Sequence, residues 1–100
     1  MYTNVIFLLR TNATKLKVFV EKNELKFNDQ GIASIALVEG QQYFLYCFAS
    51  GKLGSFYELS VLEPKDIPIQ IFRKIESSNE DKAKYSITLS VKKDIAAFAY

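Results

Sequence analysis

The chain has no histidine, no tryptophan and a single cysteine. Without histidine there is no Ser-His-Asp or Cys-His nucleophilic system, and the commonest metal ligand is missing. Cys47 has no second cysteine to pair with, so no intramolecular disulfide forms; this suits a reducing compartment and argues against a disulfide-stapled secreted fold. Long hydrophobic runs are also absent. The longest are "VIFLL" at 5–9 and "YFLYCFA" at 43–49, against about 20 residues for a membrane-spanning helix. A charge excess is absent too: 13 basic against 11 acidic residues leave a net charge of +2, too small to imply a polyanion partner, and the lysines are spread along the chain. No glycine-rich phosphate cradle, repeat or low-complexity tract occurs. "NDQG" at 28–31 lacks the distal glutamate of an EF-hand.

What is present is an ordinary folding composition, 49% apolar and 24% charged over 100 residues. That length supports one core, so residues 1–100 are read as a single domain. The opening "MYTNVIFLLR" has an apolar centre but no basic leader and no small-residue cleavage site, so it is read as a first strand and the cytoplasm as the expected location.

Alternation of apolar and polar residues runs from end to end, with no convincing 3.6-residue period. Segment 2–10 is apolar on both sides, which predicts a strand in the middle of the packing or one covered by another element. "KLKVFVE" at 15–21 points Leu16, Val18 and Val20 inward and Lys15, Lys17, Phe19 and Glu21 outward, and "KNE" turns it into "LKF". After the "NDQG" turn a strand follows from Ile32 to Val38. Further strands are expected over the 40s and over "FYELSVL" at 56–62, joined as a hairpin by "SGKLGS". "IPIQIFRKI" at 67–75 reads as an edge strand or bulge because Pro68 cannot donate to a ladder. "ESSNEDK" at 76–82 reads as an exposed loop and "AKYSITLSVKK" at 83–93 as the last strand. The apolar tail "DIAAFAY" is expected to dock on its own domain or a neighbour, through Phe98 and Tyr100. The expected fold is all-β: an antiparallel Greek-key β-sandwich of seven or eight strands, with a small OB-like barrel as the alternative.

Residues 37–43, "LVEGQQY", resemble the Leu-x-Pro-Gly-x-x-Tyr tyrosine corner of Greek-key sandwiches, with Leu37, Gly40 and Tyr43 matching and Glu39 in place of the proline. The run from Leu16 to Cys47 is similar to small prealbumin-like, PEGA-type or fibronectin-III-like modules. The resemblance implies an accessory or recognition domain without catalysis, and a Tyr43 hydroxyl bonded to backbone a few residues upstream.

The aromatic stretch "GQQYFLYCFASG" at 40–51 needs a division of faces. Pairing it with the 50s strand so that apolar residues oppose one another sets Cys47 against Tyr57, Leu45 against Leu59 and Tyr43 against Val61 as a core face. The other face then holds Gln42, Phe44, Tyr46, Phe48, Phe56 and Glu58, beside Ser60. Either the first strand or the tail covers that face, or it meets a partner or ligand.

Catalytic alternatives are thin. Cys47 falls among core residues and reads as an inert thiol. Asp29, Glu39, Glu58, Glu63 and Asp66 lie mostly at turns and strand ends, where carboxylates are solvated. No enzyme activity, cofactor or metal is expected. Lys15, Lys17, Lys26 and Phe19 form a basic-aromatic group of the kind that binds single-stranded nucleic acid, but Glu21 and Glu24 dilute it, and a lysine-rich edge that discourages aggregation is the simpler reading. Glycan or small-ligand stacking on Phe44 or Tyr46 with Gln42 alongside is a second alternative, weakened by the lack of tryptophan. The leading expectation is a non-catalytic interaction module working through protein contacts, self-association first, by the aromatic face or the tail.

Overall fold

The computed structural model describes residues 1–65, 67–76 and 79–89. Among these residues eight strands run in order: β1 Tyr2–Thr11, β2 Lys15–Val20, β3 Asn23–Glu24, β4 Ile32–Val38, β5 Gln42–Ser50, β6 Phe56–Glu63, β7 Gln70–Lys74 and β8 Glu80–Thr88. They form two four-stranded antiparallel sheets, β4-β1-β6-β7 and β3-β2-β5-β8. Neither sheet closes into a barrel, so the OB-like alternative does not hold. The path is a Greek key: the chain leaves β1, visits the second sheet in β2 and β3, and returns as β4 to lie beside β1.

Local alternation accounts for the packing. In β2, Val18 and Val20 are buried while Lys15 and Lys17 are exposed; in β5, Leu45, Cys47 and Ala49 are buried between outward Phe44, Tyr46 and Phe48. Val5 and Phe7 of β1 and Tyr57 and Leu59 of β6 come from the opposite sheet and complete the core with Ile71, Ile75 and Ile87. Each such side chain contributes about 1.5–3 kcal/mol by leaving water. β1 is an interior strand of its sheet, hydrogen-bonded to β4 on one side and β6 on the other, and it buries Val5 and Phe7 in the core.

Four boundaries differ from expectation. β5 and β6 are not a hairpin: β5 lies between β2 and β8, and "SGKLGS" carries the chain across to the other sheet. Opposing apolar residues do not distinguish a hydrogen-bonded partner from one facing across a sandwich. Cys47 and Tyr57, or Leu45 and Leu59, share a core without sharing a ladder. β8 starts at Glu80, inside the segment read as a loop, because Glu80, Asp81 and Lys82 pair with Ser50, Ala49 and Phe48. β7 spans only Gln70–Lys74, with Pro68 ahead of it, and it is an edge. "LKF" is not a strand: Leu25 is buried after β3 ends, and the chain then crosses to the first sheet.

Two turns hold β4 in register. Asn28 Oδ1 accepts the N–H groups of Gln30 (2.9 Å) and Ile32 (3.0 Å), and Gly31 takes a φ of 78°. At the far end, the Val38 N–H donates to Tyr43 Oη at 2.8 Å, the bond that the tyrosine-corner resemblance implied.

Candidate functional site

The outer face of the β3-β2-β5-β8 sheet gathers four aromatic rings from two adjacent strands. Phe44, Tyr46 and Phe48 alternate along β5, about 7 Å apart as residues two positions apart in a strand must be. Phe19 of β2 lies directly opposite Tyr46 and meets Phe48 edge to face, with ring centroids 5.9 Å apart. Phe44 and Phe48 are 36% and 41% exposed.

Lysines border the rings on both sides. Phe48 lies between Lys17 of β2 and Lys82 of β8, and Tyr46 lies between Phe19 and Lys84. The Lys84 ammonium sits 4.4 Å from the Phe44 ring centre and 5.8 Å from that of Tyr46, within range of attraction to the ring electrons. One end of the face dips into a shallow hollow of about 180 Å³ lined by Lys15, Lys17, Phe48, Ser50, Glu80 and Lys82 among others. Glu21 closes the other end by accepting the Phe44 N–H.

The residues singled out from the sequence divide between two surfaces. Gln42, Phe44, Tyr46 and Phe48 are together on this face, with Gln42 exposed at its margin opposite Thr88. Phe56 and Glu58 are on the outer side of the other sheet, where Phe56 stacks on Phe72 at 5.8 Å and Glu58 lies between Arg10 and Phe72. Residues on the outer faces of opposite sheets point in opposite directions, so Phe56 and Glu58 do not share the Phe44 face. Phe98 and Tyr100 lie outside the described residues. Phe19, Lys82 and Lys84 join this face only in the folded chain: alternation points Phe19 outward, but no local signal shows that β2 and β8 flank β5.

A second polar group sits between the sheets. Asp81 of β8 accepts from Arg73 of β7 through both carboxylate oxygens (Nε to Oδ2, 2.6 Å; Nη2 to Oδ1, 2.8 Å) and from the Tyr57 hydroxyl at 3.0 Å. The Arg73 guanidinium holds the Asp81 carboxyl below its usual range, and the carboxylate in turn raises Arg73. Burial pushes the Tyr57 phenol up, and it pushes the neighbouring Cys47 thiol up to about 11. Cys47 is therefore a protonated thiol at neutral pH, without the thiolate that nucleophilic chemistry needs. The arrangement ties one sheet to the other and offers no lowered-pKa nucleophile.

Comparison of the chain with family models, with curated proteins and with solved structures gave no match. No helix among the described residues is long and apolar enough to cross a membrane.

Proposed function

We propose that the chain is a non-catalytic β-sandwich interaction module, of the prealbumin-like kind that its run from Leu16 to Cys47 resembles, that binds a protein partner through the Phe19, Phe44, Tyr46 and Phe48 face. The observation that carries this reading is the placement of Phe48 between Lys17 and Lys82 in one cross-strand row. Aromatic anchors inside a charged margin match the composition of protein-binding patches. The lysines select a partner segment that carries carboxylates beside apolar side chains.

The ring geometry favours protein over the two other ligand classes. Nucleobases and sugars stack on open ring faces, whereas the Lys84 ammonium already occupies the space over Phe44, and Phe19 and Phe48 meet edge to face. Self-association through this face would set Lys17 and Lys82 of one copy near the same residues of another, a like-charge arrangement that opposes binding.

The test is an NMR titration with three probes: a peptide alternating glutamate with phenylalanine and leucine, a single-stranded oligothymidylate, and a β-linked glucose oligomer. The peptide is expected to shift the Lys17, Tyr46, Phe48 and Lys82 amides, and to lose that effect in Phe48→Asp. Shifts with the oligothymidylate alone, fading steeply with salt, would replace the protein reading with a nucleic-acid one. Shifts with the sugar alone would replace it with a glycan one, and no shift with any probe removes the face as a binding site.

A further inference from the structure

Among the described residues the two sheets have four edges, β4 and β7 on one and β3 and β8 on the other. An edge strand presents unpaired N–H and C=O groups that pair readily with another chain, and proteins commonly block this with charge or brevity. β3 is only two residues long, β7 carries Arg73 and Lys74, and β8 carries Glu80, Asp81, Lys82 and Lys84. β4, "IASIALV", has seven residues with neither charge nor proline.

The ladder shows which of its groups are open. Leu9 N–H bonds Gly31 C=O at 2.7 Å and Glu39 N–H bonds Met1 C=O at 2.9 Å, so the odd-numbered positions along β4 face β1. Ile32, Ser34, Ala36 and Val38 therefore present their backbone to the other side. Ile32 is already bonded in both directions to Asn28, and the Val38 N–H is taken by Tyr43 Oη. Ser34 and Ala36 keep both their N–H and C=O groups without a partner among the described residues. Their side chains are small and exposed, and an open groove of about 420 Å³ runs beside Ile32, Ser34 and Ile35.

We propose that β4 is a self-association edge, pairing antiparallel with β4 of a second copy about a two-fold centred on Ile35. Ser34 of one copy then lies opposite Ala36 of the other, and each open N–H meets an open C=O. The occupant follows from self-complementarity: two consecutive outward residues, bracketed by an occupied position on each side, match the same short pattern turned through a half-rotation. β4 itself brings no charge to this seam, and the Glu24 and Lys26 side chains that line the same groove are paired with each other. The remaining edges are charged or too short, so the assembly stops at a dimer. This inference stands independently of the aromatic face.

Sedimentation from micromolar to near-millimolar concentration, with amide hydrogen exchange on the same samples, tests it. The chain is expected to dimerise, with exchange at Ser34 and Ala36 slowing as concentration rises. Ser34→Pro removes an N–H that makes no bond to β1, so folding is retained while the dimer weakens at least about tenfold. Ala36→Lys, which sets like charges near the seam, serves as the second variant and is expected to weaken it similarly. A monomer at every concentration overturns the proposal, as does a dimer unaffected by either folded variant. Protection of Ser34 and Ala36 that is independent of concentration also overturns it, because another part of the same chain would then cover the edge.

Discussion

Replacing Gly31 by alanine probes the start of β4 with two separable costs. Gly31 has a φ of 78°, and a Cβ built there would stand 2.2 Å from the Leu9 carbonyl oxygen. The left-handed backbone alone costs a non-glycine residue about 1–2 kcal/mol. The overlap is with backbone of the central strand, which cannot swing aside as a flexible side chain can. Relief requires moving β4 away from β1, which disrupts the Leu9 N–H to Gly31 C=O bond of 2.7 Å and adds about 1–3 kcal/mol for the groups left unpaired. Gly31→Ala is thus expected to cost about 2–5 kcal/mol, a large part of the roughly 5–15 kcal/mol that holds a domain folded. Gly54 is the internal control, since its φ is 89° but nothing lies within 4 Å of its Cβ position. Gly54→Ala should pay only the backbone term, about 1–2 kcal/mol. Followed by circular dichroism, the midpoint of thermal unfolding should fall about 4–8 °C per kcal/mol in a domain of this size, so Gly31→Ala melts well below Gly54→Ala. Equal losses in the two variants would refute the steric half of the reasoning. No loss in either would refute both halves.

Tyr43→Phe leaves the Val38 N–H without its acceptor and should lower stability by about 1–2 kcal/mol; an unchanged urea midpoint at constant slope would show that this bond contributes nothing. Asp81→Asn removes the charge from the inter-sheet clasp with Arg73 and Tyr57. Because the folded Asp81 carboxyl titrates below its ordinary value, its contribution is complete above about pH 4 and is lost as pH falls through the lower folded value. The stability gap between the natural chain and the variant should therefore be widest near neutrality and shrink in acid; a gap constant from pH 7 to pH 2 would contradict this. Cys47, raised to about 11 and fully buried, should react with an aromatic disulfide reagent at pH 8 only as fast as the protein unfolds. Rapid labelling under native conditions would sink that expectation.

What could be read in advance divides by range of interaction. Burial alternates every second residue whatever the partner strand, so the inward sets Val18 and Val20, Leu45 and Cys47, Tyr57 and Leu59 were legible from the chain alone. The tyrosine corner was legible because its partners, Val38 and Tyr43, are five residues apart. Strand pairing is not local. Matching apolar residues across "SGKLGS" selected residues that belong to one core but come from different sheets and share no ladder. The same confusion put Phe56 and Glu58 on the aromatic face and left Phe19 off it. Glu80, Asp81 and Lys82 read as loop because their charges outweigh any strand propensity, and only the long β5 ladder and the Arg73 clasp hold them extended.

The two proposed surfaces are compatible, and their geometry couples them. Antiparallel pairing of β4 with its copy relates the protomers by an axis perpendicular to the sheet, so the inner faces of both first sheets look the same way. Both β3-β2-β5-β8 sheets are then on one side of the joined sheet, and both aromatic faces point in that direction. A partner that displays its acidic-apolar segment repeatedly can engage the two faces at once, with the second contact formed at the high local concentration set by the first. Ser34→Pro should therefore weaken binding to a tandem-repeat peptide while leaving binding to a single copy of that peptide unchanged. Phe48→Asp should abolish both. Equal weakening of single and tandem peptides by Ser34→Pro would mean that the edge and the face are one site rather than two.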